Sequence, residues 1–512
     1  MDETGQPAAE CTFNDKSAEP GVWRYAKAAR ASVIVDAENY FGFMQTAMLQ
    51  ARRRIMLVGW DFDTRIHLAV GRRWFSRPFR REYPRRLGSF LVWLARHHRG
   101  LEICILKWGL GVFQFLTRGY MIVDVLRMAR VDGITFNFDS HHPVGCSHHQ
   151  KIVVIDDQLA VCGGIDMTQD RWDTRDHREK DRRRRRPHGR RYGPWHDATM
   201  MMEGDIAHQL GVLSRERWAT AGGSQLEAAE ASGESLWPEK LPVQFENVEI
   251  GIARTRAEYD GCPEIREIED LLVAQIGQAK RFIYSENQYF TSPRVAEAIT
   301  ARLKEENPPE IVMVQPDAAD GWLEQQAMDH ARNCLLHAIH EVDSKGRFAM
   351  FVPYTGETKI YVHAKLTIID DRILRIGSAN WNNRSMGLDS ECDVFIDCDR
   401  PGNDHACDAI TALRCSLLAE HCGLEEADVA RLLEADPSML NLINTHGQLN
   451  SRQLRRFEPP PVGEIEGALA ESQILDPEHP DLMLEPFAKG GLMKQGSLVR
   501  RAYDRAKRGF GK

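Results

Sequence analysis

Apolar residues fall into helical and strand-like rhythms that occur twice along the chain. From Asp36 to about Arg53 they recur at helical spacing through Tyr40, Phe41, Met44, Ala47 and Met48, and a strand-like run follows at Ile55–Trp60. Residues 268 to 289 repeat this order, with a helix through Leu271, Leu272 and Ile276 and then a strand at Phe282–Ser285. Leu101–Leu106 and Glu310–Val314 form a second matching pair of strands. Leu366, Thr367, Ile368 and Ile369 form an apolar, β-branched run typical of a buried strand. Helices alternating with apolar strands predict an α/β sandwich in each half. A stretch rich in Ala, Gly, Ser and Glu, from Ala219 to Glu239, reads as the connection between halves. Helices are predicted at Ala406–Glu420 and Glu425–Glu434, and the pattern weakens beyond Pro437, with Pro459, Pro460 and Pro461 in a row. The expected organisation is a disordered N-terminus (1–22), an N-terminal α/β domain (23–220), a linker (221–240), a C-terminal α/β domain (241–430) and an extension (431–512) packed over the core as a helical tail.

The duplication carries chemistry. Residues 363 to 370 hold His363, Lys365 and Asp370 in the spacing His-x-Lys-x4-Asp, and residues 149 to 156 hold His149, Lys151 and Asp156 identically. Gly163 and Gly164 correspond to Gly377 and Ser378, and Asp166 to Asn380, all offset by 214 positions (363 less 149). Constant register across so many pairs marks an internal repeat. On a strand, the histidine and lysine of each motif share a face, so an imidazole and an ammonium project together. That pair suits an anionic phosphate. The motif aspartates fall on the opposite face and are expected to be structural ion-pair partners. His148 also points away from its neighbour's face. No Gly-x-Ser-x-Gly elbow or Gly-x4-Gly-Lys loop is present, which removes the serine hydrolase and nucleotide-loop readings.

The paired motifs, each followed by Gly-Gly or Gly-Ser, resemble the phospholipase D superfamily over most of residues 40–420. Further signatures resemble phospholipase D proper: GWDFD at Gly59–Asp63, GGIDM and RWDT within Gly163–Thr174, PWHD at Pro194–Asp197, ENQYF at Glu286–Phe290, and GSANWNNRS followed by DSE at Asp389–Glu391. Cardiolipin synthases usually differ where ENQYF stands. The resemblance implies two pseudo-symmetric domains sharing one active site at their interface. It implies His149 as nucleophile and His363 as general acid, with Glu391 serving His363 and Asp197 serving His149. Lys151 and Lys365 would hold the non-bridging oxygens. Asn380, Asp166, Ser378 and Gly164 would lie on the substrate side; Asn380 can donate to phosphate, whereas an ionised Asp166 cannot. Glu286 and Tyr289 either touch substrate or pack at a strand end. His196 reads as a buried support rather than a metal ligand, and no metal or cofactor is expected, because lysines stand where a metal would neutralise phosphate.

The implied reaction is hydrolysis of a glycerophospholipid headgroup phosphodiester to phosphatidic acid through a phosphohistidine. Transphosphatidylation of the cardiolipin synthase type is the nearest alternative, followed by a metal-independent nuclease and an inactive lipid-binding scaffold.

Composition refines the partner. Net charge is −8 and the isoelectric point about 6.2, so no global basic field exists and no nucleic acid is expected. Three local stretches mix basic and aromatic residues or concentrate charge. Arg72–Arg86 has seven arginines among Trp74, Phe75, Phe79 and Tyr83, Arg178–Arg191 has nine Lys or Arg in 14 residues, and Lys489–Lys512 has eight with Tyr503 and Phe510. Such segments suit the surface of an anionic membrane. There is no run of 18 apolar residues and no signal-peptide core in the first 30. Eleven cysteines lack a regular spacing, so reduced thiols and a cytoplasmic, peripherally membrane-associated protein are expected, with a secreted protein as the alternative. Nothing in the pattern sets an oligomeric state.

Overall fold

A computed structural model describes residues 19–69, 83–109, 121–230, 233–318 and 322–460. The first 18 residues, most of the Arg72–Arg86 stretch and the whole of Lys489–Lys512 lie outside the described residues.

In the first half, strands β1 (Arg24–Val35), β2 (Arg54–Gly59), β3 (Glu102–Trp108), β4 (Ile134–Asp139), β5 (Ile152–Ile155), β6 (Leu159–Gly163) and β7 (Ala198–Glu203) form a sheet in the order β4-β3-β2-β5-β6-β7-β1. In the second, β8 (Phe245–Arg256), β9 (Phe282–Asn287), β10 (Glu310–Val314), β11 (Phe348–Thr355), β12 (Lys365–Ile369), β13 (Ile373–Gly377) and β14 (Glu391–Asp397) follow the same plan, β11-β10-β9-β12-β13-β14-β8. The register repeats too: Ile55 pairs with Ile155, and Ile283 with Ile369. Antiparallel pairing of β1 with β8 joins the two sheets edge to edge.

Strands such as IVVI at β5 and KLTII at β12 are buried along their whole length, as strands covered on both faces must be. Their inner faces share one core, in which Met56, Val154 and Met200 of the first half join Ile368, Leu374 and Val394 of the second. The outer face of the first sheet is covered by α1 (Ala37–Gln50) and α2 (Leu87–His97). A short helix, α3 (Met121–Met128), precedes β4, and α4 (Asp205–Thr220) follows β7 and packs on β1, β5 and β6. The second sheet is covered by α5 (Glu267–Gln278), α6 (Pro293–Leu303) and α7 (Trp322–Val342). Helices α8 (Cys407–Cys422), α9 (Glu426–Ala435) and α10 (Met439–His446) add to the shared core. The segment beyond Pro437, where periodicity fades, also holds a strand, β15 (Arg452–Arg456), which extends the second sheet alongside β11.

The motif aspartates are structural, but not as ion-pair partners. Asp156 and Asp157, and equally Asp370 and Asp371, occupy the left-handed region (φ between 51° and 57°) in the turns that follow β5 and β12. Aspartate tolerates this conformation better than most residues. There the Asp156 carboxylate accepts the backbone N–H groups of Arg52, Arg53 and Arg54 at 2.7–2.8 Å, and Asp370 accepts those of Lys280, Arg281 and Phe282. Each carboxylate thus satisfies the donors that lead into the adjacent antiparallel strand. The ion pairs belong to the next residue, Asp157 with Arg215 and Asp371 with Arg414.

Nine described cysteines are free thiols, whereas Cys262 is disulfide-bonded. Among the described residues no helix is long and apolar enough to cross a membrane.

Candidate active site

Both motif histidines line one cavity of about 470 Å³ between the halves. Neither lies inside a strand: His363 precedes β12 and His149 precedes β5. Each is held by main chain from the other half. The His363 N–H donates to the His196 carbonyl at 2.7 Å, beside a short parallel pairing of Trp195–His196 with Tyr361–Val362. The His149 N–H donates to the Ser390 carbonyl at 2.9 Å, beside a bridge between His148 and Ser390.

This exchange reverses the expected carboxylate pairing. The residue after His196 is Asp197, and its Oδ2 lies 2.7 Å from His363 Nδ1. The residue after Ser390 is Glu391, whose carboxylate oxygens lie 2.9 and 3.1 Å from His149 Nδ1. Asp197 therefore serves His363 and Glu391 serves His149, because each carboxylate follows a segment paired to the opposite motif. With Nδ1 of each ring engaged by a carboxylate, Nε2 is the nitrogen left for other chemistry.

The two lysines flank the pair. Lys151 Nζ donates to the His149 carbonyl at 2.8 Å and lies 3.3 Å from Asp166 Oδ2. Lys365 Nζ donates to the His363 carbonyl at 2.5 Å and to Gln288 Oε1 at 3.0 Å. Asn380 lines the cavity. Asp166, Ser378 and Gly164 do not line it; the structure sets them behind the reacting groups. Asp166 faces Lys151, and the Ser378 hydroxyl donates to Glu391 Oε2. A Cβ at Gly164 would lie 2.1 Å from Asp197 Oδ1, so only glycine leaves room for that carboxylate. Tyr289 reaches the cavity, whereas Glu286 is buried behind it, bonded to His196, His421 and Tyr284. His148 turns away to Asp139 and Ser390, as its strand parity predicts.

Sequence reasoning gave no role to several cavity residues. Trp60, Trp108, Trp195 and Met328 form apolar wall, and Arg171 stacks over the Trp195 ring at 4.5 Å from its centroid. Ser385 donates to Glu391 Oε1 at 2.6 Å. Most of these stand inside the quoted signatures; what was missing was any signal for which way they point.

Burial, reinforced by Lys151 and Lys365 and for His363 also by Arg171, holds both imidazoles well below their ordinary pKa and hence neutral at pH 7. Burial lowers Lys365 to about 7. A neutral, carboxylate-oriented imidazole is a competent nucleophile. A second one, given a proton, is a general acid. Two cationic side chains can meanwhile bind the non-bridging oxygens of a phosphodiester.

Residues 272–406 match a family described as "Cardiolipin synthase, PLD-like domain", and residues 342–472 match one described as "Phospholipase D". Phospholipase D A of Dictyostelium discoideum is 24% identical over 72% of this chain and 33% of its own length. Phospholipase D1 of Schizosaccharomyces pombe is 24% identical over 77% and 35%, and phospholipase D alpha 4 of Arabidopsis thaliana 22% identical over 76% and 64%. The chain thus spans about a third of the length of the first two. Among solved structures, phosphatidylserine synthase of Haemophilus influenzae superposes with a TM-score of 0.47 at 12% identity, covering 88% of this chain and 93% of that one.

Proposed function

We propose that this chain, which belongs to the phospholipase D superfamily, cleaves the headgroup phosphodiester of glycerophospholipids to give phosphatidic acid and a free alcohol. The observation that carries this reading is the crossed pair of histidines, each backed by a carboxylate from the other half, in one cavity with two lysines. His149 Nε2 attacks phosphorus, and the bond to the headgroup oxygen breaks. That oxygen takes a proton from His363 Nε2. Water then gives a proton to His363 and its oxygen attacks phosphorus, breaking the P–N bond and restoring His149. Burial is the main cause that depresses His363, and the smaller part due to Lys365, Arg171 and Lys151 is offset once an anionic phosphodiester binds among them, which favours protonation of His363 in the complex.

The walls fit the same substrate. Aromatic side chains beside two arginines, Arg171 and Arg384, suit a molecule with an apolar body and a charged head. Of the basic stretch Arg178–Arg191, Arg184 is buried on Asp173, Arg186 is paired with Asp170, Arg178 with Asp176, and Arg183 with Asp181 and Glu38, while Lys180, Arg182, Arg185, Arg190 and Arg191 stay exposed. These exposed cations are the elements that would hold the protein on an anionic bilayer. Co-sedimentation with vesicles should therefore rise with anionic lipid content, and indifference to it would remove the membrane reading.

The deciding experiment is acid-quenched trapping of the phospho-enzyme with labelled lipid, followed by mapping of the label. Label on His149 supports the scheme, and a turnover-competent enzyme labelled on neither histidine defeats it. A second reading, transfer to an alcohol in place of water, draws on the match described as cardiolipin synthase. Lipid products formed with added glycerol or phosphatidylglycerol separate the two.

A further inference from the structure

We propose that Asp36, His177, His196 and Glu420 bind one divalent first-row transition-metal ion, zinc foremost, as a structural centre behind the active site. These four side chains are at most 4% exposed, and their donor atoms lie within 4.8 Å of one another. They converge from the start of α1, the loop after β6, the PWHD segment and α8. Glu420 Oε1 lies 2.9 Å from both His177 Nε2 and His196 Nδ1, and Asp36 oxygens lie 3.5 Å from each of those nitrogens. A tetrahedral ion about 2.0–2.2 Å from each donor needs donors some 3.3–3.6 Å apart, and these four distances lie within a few tenths of an ångström of that range.

Three further observations favour an ion over a hydrogen-bonded knot. Asp36 Oδ2 is buried with no hydrogen-bond partner. The outward nitrogen of each histidine faces a carboxylate, His177 Nδ1 on Asp173 at 3.1 Å and His196 Nε2 on Glu286 at 2.8 Å, the arrangement that fixes ligating imidazoles. The second oxygen of Glu420 is held by Arg175, which leaves Oε1 turned inward. Two imidazole nitrogens and two carboxylate oxygens form a donor set suited to zinc rather than to magnesium or calcium. On binding, any proton on the inward nitrogen of either histidine is released to solvent, because only a deprotonated nitrogen can ligate.

None of the four lines the cavity, so the ion would take no part in phosphate chemistry. It would tie His196, and with it Asp197, to α8 of the second half. Asp36 Oδ1 also accepts the Asp197 N–H at 3.2 Å.

The test is elemental analysis of the full chain purified without chelator, then chelation and zinc titration followed by thermal melting. Expected are about one zinc per chain and a melting temperature that falls on chelation and recovers with zinc but not magnesium. Glu286→Gln should raise the zinc Kd about 10–100-fold, the usual cost of losing a carboxylate behind a ligand. His149→Ala should keep full occupancy, which separates this centre from the proposed reaction. A folded wild-type chain that carries no zinc, takes up none at micromolar concentration and melts unchanged overturns the proposal.

Discussion

The two halves share strand order, register and turn geometry, yet they support their histidines differently. In the first half Lys151 faces a carboxylate, Asp166, and the ring of Trp60 lies 6.0 Å away. In the second, Lys365 meets the neutral amide of Gln288, and burial lowers it to about 7. The carboxylate behind His149 is held by two hydroxyls, Ser378 and Ser385. The one behind His363 takes the Ala198 N–H at 2.8 Å and occupies space left by Gly164. Duplication copied the scaffold, and local divergence around it can give two like imidazoles unlike tasks.

The largest expected effect tests the unit as a whole. His149→Ala and His363→Ala should each lower kcat by about 10⁴-fold or more, and the double variant should be scarcely worse, because groups acting in one step do not add. Residual turnover of a tenth in either purified variant would break the scheme.

Next, the crossed pairing can be separated by chemistry. Asp197→Asn and Glu391→Gln should each cost on the order of 10²–10⁴-fold in kcat. A substrate whose headgroup leaves without protonation, such as a nitrophenol ester, should restore much of the loss in Asp197→Asn and little in Glu391→Gln. Equal rescue would show that the two histidines do not divide the roles.

A smaller effect probes the unequal supports. Gly164→Ala forces the Asp197 carboxylate aside and should lower kcat about 10²-fold, as ångström-scale misplacement does. Ser378→Ala leaves Glu391 its Ser385 contact and should cost about tenfold, the worth of one hydrogen bond to a charged group.

The lysines predict a pH dependence. In the proposed scheme the form of Lys365 that binds phosphate is the protonated one, which is lost as pH rises through about 7. The ratio kcat/KM should fall on the alkaline side from there, chiefly through KM. Lys365→Arg, which stays charged, should move that limb upward. An unchanged limb would place the titrating group elsewhere.

The smallest contrast is an expected equality. Asp156→Ala and Asp370→Ala each strand three backbone donors and should each lower stability by about 2–3 kcal/mol in denaturant unfolding, with kcat little changed. A large loss of kcat at full folding would return these aspartates to the chemistry.

Much of this molecule was legible in its residues. The doubled His-x-Lys-x4-Asp spacing at constant offset revealed the repeat, and strand parity turned His148 away from His149. Apolar runs placed the central strands within one or two residues, as at Glu310–Val314. These features are local, because periodicity records which face a residue presents to the core.

Other features depend on segments far apart in the chain. Which carboxylate backs which histidine followed from the pairing of Trp195–His196 with Tyr361–Val362 and of His148 with Ser390. The role of the motif aspartates followed from the backbone donors at Arg52–Arg54 and Lys280–Phe282. The meeting of Asp36, His177, His196 and Glu420 joins residues up to 384 positions apart (420 less 36). Residue type and spacing determined which groups were available and which side of a strand they took. Only the packing of one half against the other decided their partners, because a hydrogen bond depends on ångströms in space and sequence distance does not record them.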